Sequence, residues 1–189
     1  MTAPGKVSAE LAAAEVLDLD GNPHRVESFW AERPVLLLFV RHFACLFCRE
    51  QVNELKPHFA ALKQAGLDVV IIGSGSPHFG RAFVADLGLA EPGAGAVPVY
   101  CDEKRTAYAA ASLVRSFGSM IHPGAGLALV RALFACSKPS LAVQGDAQQQ
   151  GGTFVIRPGG DVLFEYRSRY SGDHPKAREL VKQALAAAA

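Results

Sequence analysis

Cys45-Leu46-Phe47-Cys48 is the segment whose residue types and spacing carry chemistry by themselves. Two thiols at i and i+3 across a helix start lie close enough for a disulfide, which needs Cα atoms roughly 4.4–6.8 Å apart. Such a pair can cycle: one thiolate attacks, forming a mixed disulfide or a sulfenic acid, and its neighbour resolves that species to Cys45–Cys48. An external reductant must then reset it. At a helix N-terminus the first backbone N–H groups lack acceptors and the macrodipole is positive, which favours thiolate over thiol. Arg41 and Arg49 add positive charge, and thiols so placed titrate at about 3.5–7.5 rather than about 8.5. The same spacing is also half of a metal site, which needs two further ligands to close a tetrahedral zinc. His42, His58 and His78 qualify only by residue type, and no second C-x-x-C or H-x-x-x-H pair is present. A third reading is an interaction domain whose C-x-x-C is redox-inert. Cys101 and Cys136 stand alone and read as packing cysteines.

These thiols need elements to hold them. Val35 to Val40 is a continuous apolar run bounded by Pro34 and Arg41, the pattern of a strand buried on both faces. From about Cys45 to Gln64, Val52, Leu55, Phe59 and Leu62 recur at helical spacing, and Pro57 should kink that helix without ending it. Glu15 to Asp20 with the turn residues Gly21-Asn22-Pro23 predicts a first hairpin. Strands are expected over 68–72 and 97–100, helices over 79–89 and 104–114, a hairpin from 153–156 and 162–166, and a closing helix over 174–189. The pattern is α/β, a mixed sheet covered by helices. Between Arg115 and Gln150, Leu127, Val130 and Phe134 suggest an inserted helix, first of all as core packing, since apolar stripes usually pack inward, and otherwise as a lid or a homodimer contact.

The chain has 189 residues, 50% of them hydrophobic, which is enough for one core and too short for two ordinary domains. Its formal net charge of +1 lacks the basic excess of a nucleic-acid binder. No apolar run approaches the roughly 20 residues of a membrane span. The start, MTAPGKVSAELAAAEVLD, shows no export signal, so a cytoplasmic chain is expected.

Leu38-Phe39-Val40-Arg41-His42-Phe43 leads into Cys45-x-x-Cys48-x-Glu50; Val69 to Gly73, Tyr100-Cys101-Asp102, Gln144-Gly145-Asp146 and Gln149-Gln150-Gly151-Gly152-Thr153 follow. Arg167-Ser168-Arg169 with Asp173-His174 comes last. In order and spacing this series resembles the AhpC/TSA antioxidant superfamily, in its peroxiredoxin-like branch. The resemblance implies one thioredoxin-like domain over 1–189, with a central mixed sheet flanked by helices on both faces. It implies a thiol oxidoreductase that reduces a peroxide or a disulfide with no metal or organic cofactor. Its reductant would be an external thiol such as thioredoxin or glutathione. Cys48 matches the family's peroxidatic cysteine and Cys45 takes the place of its Thr or Ser. By analogy with thioredoxins, Cys45 would attack instead. At the floor, where relatives carry a cis-proline or an arginine, Gly151-Gly152-Thr153 would admit substrate or simply turn into a strand, with Thr153 offering a hydroxyl. Arg41 would replace the missing arginine in stabilising the leaving oxygen. The candidate site is therefore Cys45, Cys48, Arg41 and Thr153.

Overall fold

The six residues of β3, Val35–Val40, are each at most 2% exposed, as a strand covered on both faces must be. The computed structural model describes residues 5–90, 96–116, 146 and 148–188. In chain order these form α1 (Ala9–Ala13), β1 (Glu15–Leu17), β2 (Pro23–Arg25), a 3-10 turn (Val26–Trp30), β3, α2 (Leu46–Leu55), a second 3-10 turn (Lys56–His58) and α3 (Phe59–Gln64). There follow β4 (Asp68–Gly73), α4 (Pro77–Leu87), β5 (Val99–Cys101), α5 (Thr106–Ala110), β6 (Gly152–Ile156), β7 (Val162–Arg167) and α6 (Ala177–Ala188). The expected insertion falls almost wholly on 117–145 and 147, and with Cys136 it lies outside the described residues.

The strands make one seven-stranded mixed sheet in the order β2-β1-β5-β4-β3-β6-β7. β5, β4 and β3 run parallel, β6 antiparallel to β3, and β1 antiparallel to β5. Alternate residues of β3 serve opposite cores. Leu36, Leu38 and Val40 pack with Val52, Leu55, Phe59, Phe83 and Leu180 from α2, α3, α4 and α6. Leu37 and Phe39 pack with Leu11, Trp30, Ala107 and Tyr108 from α1, the first 3-10 turn and α5. Helices thus cover both faces of a thioredoxin-like sheet, as expected.

Boundaries moved for local reasons. Pro57 converts the expected kink into a 3-10 turn separating α2 from α3. Pro77 at the first turn and Gly88 at φ +58 set the ends of α4 two residues earlier than the periodicity suggests. α5 is far shorter than the expected 104–114, since Ser112 turns to φ +56. β5 starts after Pro98, whose carbonyl accepts from Ile71 N–H at 3.1 Å.

Candidate active site

β3 ends at Val40, and five residues later Cys45 is the N-cap of α2, with φ −67 and ψ 116. Its N–H donates to the His42 carbonyl at 3.0 Å, and its own carbonyl accepts from Arg49 N–H at 3.0 Å, the first bond of the helix. The linking loop is pinned from three sides. Phe43 is fully buried against Gly73, where any Cβ would run into its ring. Arg49 Nε donates to the Phe43 carbonyl at 3.2 Å. The same guanidinium pairs with Asp86 of α4 at 2.9 Å and lies 5.7 Å over the Phe83 ring.

Cys48, in the first turn of α2, is free alongside Cys45, and its Sγ accepts from Arg41 N–H at 3.2 Å. Arg41 Nη1 lies 3.8 Å from Cys45 Sγ, while its Nε donates to the Gln149 carbonyl at 3.0 Å. The two thiols titrate in opposite directions. Cys45 is drawn down to about 6, first by the Cys48 thiol donating to it and, against its burial, by the charge of Arg41. Cys48 is pushed well up, first by burial and then by that same donated bond. Both directions favour the thiolate at Cys45, with the Cys48 thiol donating to it. His42, next to Arg41, is pulled down to about 4 by burial and by the Arg41 charge, so its ring is neutral at pH 7.

Of the expected site residues, Cys45, Cys48 and Arg41 converge. Thr153 is buried on β6, opposite Leu38 of β3, and its hydroxyl accepts from Gln51 Nε2 of α2 at 3.3 Å. It braces the helix that carries the thiols. The neighbouring glycines serve the backbone: a Cβ on Gly151 would strike the Phe39 carbonyl, and one on Gly152 would sit 2.6 Å from Leu113. They let β6 enter close beside β3.

Two further groups shape the site without any sequence signal that marks them as such. The Tyr108 hydroxyl donates between the carbonyls of Val40 and Ile72, tying the ends of β3 and β4 where the loop departs. Ser74 Oγ donates to the Arg41 carbonyl at 2.6 Å. Among the described residues no group of three or more His, Cys, Asp or Glu is placed to hold a metal ion. Nor is any of their helices long and apolar enough to cross a membrane.

Residues 54–170 match the family model described as AhpC/TSA antioxidant enzyme. The chain belongs to that family. Peroxiredoxin-like 2C of Bos taurus is 30% identical over 177 residues, covering 89% of this chain and 75% of the relative. The chloroplastic thioredoxin-like protein AAED1 of Arabidopsis thaliana is 28% identical, over 96% of this chain and 75% of its own length. Among solved structures, a peroxiredoxin Q from Xanthomonas campestris superposes with TM-score 0.68 and 14% identity, over 97% of each chain. The chain is therefore a peroxiredoxin-like protein of thioredoxin fold, from a family of oxidoreductases. The matched span begins at residue 54, after both Cys45 and Cys48.

Proposed function

We propose that this AhpC/TSA family member is a dithiol enzyme in which Cys45 attacks and Cys48 resolves. The observation that carries the reading is where the two sulfurs lie: Cys45 caps α2 with Arg41 Nη1 3.8 Å from its Sγ, an arrangement that draws that thiol down, while burial pushes Cys48 up. With a hydroperoxide, Cys45 Sγ bonds the terminal oxygen as the O–O bond breaks. The departing alkoxide or hydroxide takes up a proton, and Arg41 lies where it can stabilise that charge. Cys48 then attacks the sulfenic sulfur, water leaves, and the Cys45–Cys48 disulfide remains. Two thiols and one organic hydroperoxide become a disulfide, an alcohol and water; with hydrogen peroxide the products are the disulfide and two waters. A reducing compartment such as the cytoplasm would supply the thiol that resets it; no metal or organic cofactor enters the cycle.

Stopped-flow oxidation of the reduced protein by hydrogen peroxide, with the product mapped by mass spectrometry, tests this. Fast second-order oxidation ending in a Cys45–Cys48 bond is expected, and Cys48→Ser should trap Cys45 as sulfenic acid. Trapping at Cys48 in a Cys45→Ser variant that keeps the fast rate would reverse the roles. A rate no better than a free thiolate's would move the reading to disulfide exchange, which the thioredoxin-like position of Cys45 at the helix cap also supports.

A further inference from the structure

The carboxyl ends of β3, β4 and β5 carry a polar shelf that the dithiol cycle does not use. Asp146 N–H donates to Ser74 Oγ at 3.4 Å, Ser74 Oγ donates to the Arg41 carbonyl, and the Arg41 side chain reaches Cys45. Asp146 thus stands two hydrogen bonds from the residue that serves the reactive thiol. Two guanidiniums converge on its one carboxylate, Arg115 through Nε and Arg105 through Nη1 at 3.6 Å, leaving an excess of one positive charge. Both arginines keep solvent access, with 37% and 57% of their side chains exposed for Arg105 and Arg115. His42, within electrostatic reach of the same Asp146, is 9% exposed, and its Nδ1 has no hydrogen-bond partner. Buried polar atoms are nearly always paired, so an orphan within electrostatic reach of Arg41 and Asp146 marks a place where a ligand atom completes the set.

The redox cycle changes this shelf's charge. In the reduced form the Cys45 thiolate adds a negative charge beside Arg41; in the disulfide form that charge is gone while Arg41, Arg105 and Arg115 keep theirs. Oxidation therefore makes the site one unit more positive at the moment it needs a reductant.

Resting on the dithiol reading above, we propose that the disulfide form is reduced by a small carboxylate-bearing thiol, its carboxylate received by Arg105 and Arg115 and hydrogen-bonded by His42 Nδ1–H. Its thiolate attacks one sulfur of Cys45–Cys48, forming a new S–S bond as the internal one breaks, and the displaced sulfur keeps the electron pair and takes a proton. A second thiolate attacks the mixed disulfide and displaces the other cysteine. Two electrons pass to the pair, and the reductant leaves as its own disulfide.

The test uses protein oxidised by diamide, with the Cys45–Cys48 bond confirmed by mass spectrometry, and measures reduction by 3-mercaptopropionate, glutathione, 2-mercaptoethanol and cysteamine at equal thiolate concentration. The two carboxylate thiols should react at least about tenfold faster than the neutral one, and cysteamine slowest, with the spread collapsing in high salt. Arg105→Gln with Arg115→Gln should flatten the order, and His42→Leu should slow the carboxylate thiols alone. Asp146→Asn, which removes the counter-charge, should widen the order, and it guards against a loop that merely loosens when the arginines go. Equal rates per thiolate, or a faster cysteamine, overturn the proposal while the dithiol reading stands. If no Cys45–Cys48 bond forms with diamide, both fall.

Discussion

Two strand-to-helix junctions sit at the same edge of the sheet and solve the same problem differently. β5 runs into α5 through Asp102, whose carboxylate accepts from the N–H groups of Thr106, Ala107 and Tyr108 at 2.8–3.3 Å. β3 runs into α2 through Cys45, whose side chain makes no capping hydrogen bond to the helix. At the first junction a carboxylate uses up the helix's free donors and the result is structural. At the second a thiol leaves them under-used, so the field of the helix end and the Arg41 charge act on sulfur. The neighbouring thiols show the consequence. Cys101, one residue before Asp102, is pushed up to about 12 by burial first and by the nearby Glu103, whereas Cys45 sits near 6. Position at a strand end does not activate a cysteine; capping a helix beside a second thiol and an arginine does.

The sharpest break of this comparison is Cys45→Ser, which should abolish peroxide- or disulfide-driven turnover, against Cys101→Ser, which should leave it intact. Next in size is Arg41→Gln. The reactive fraction of Cys45 is complete well above pH 6 and is lost as the pH falls through about 6. Removing the cation raises that midpoint, by roughly one pH unit, so alkylation by iodoacetamide at pH 6 should slow several-fold to about tenfold. The absorbance of the thiolate at 240 nm, followed against pH, reads the same midpoint directly. An unmoved midpoint would assign the activation to Cys48 and the helix end alone.

Asp102→Ala then probes the structural junction. Three backbone donors lose their acceptor, and the fold should lose roughly 1–3 kcal/mol of stability in urea denaturation. The Cys45 midpoint should stay where it is, because the two junctions share a sheet but no strand and no capping group.

Much of this division was legible in the residues. The unbroken apolar run Val35–Val40 announces a buried strand whatever surrounds it, and a C-x-x-C immediately after it predicts thiols at a helix start. Arg41 was recognisable as the cation beside them because it is close in sequence. What escaped depends on contacts between distant segments. Tyr108 reaches carbonyls 68 and 36 residues away, and nothing in an alanine-rich stretch signals that. The sequence offers Thr153 as a hydroxyl at the site, yet its partner is Gln51, a pairing set by how α2 lies across β6. Gly151 and Gly152 looked able to admit a substrate. Only the approach of β6 to the Phe39 carbonyl and Leu113 shows that they admit the backbone.

The smallest effect belongs to Cys101→Ala. Cys101 is 1% exposed and its sulfur lies 3.1 Å from where a Cβ on Gly80 would stand, so it fills space between β5 and α4. Removing one sulfur atom from a packed interior leaves a small cavity and should cost about 1 kcal/mol. Since Cys101 is almost wholly protonated at neutral pH, it offers no thiolate to oxidants or alkylating reagents. The variant should therefore melt slightly earlier while the Cys45 midpoint, the oxidation rate and the mapped disulfide stay unchanged. A slower oxidation, or a disulfide involving Cys101 in the parent chain, would make β5 a second redox junction and dissolve the distinction drawn here. Measuring stability and oxidation rate on the same preparation separates a packing cysteine from a third participant, because only the latter moves both.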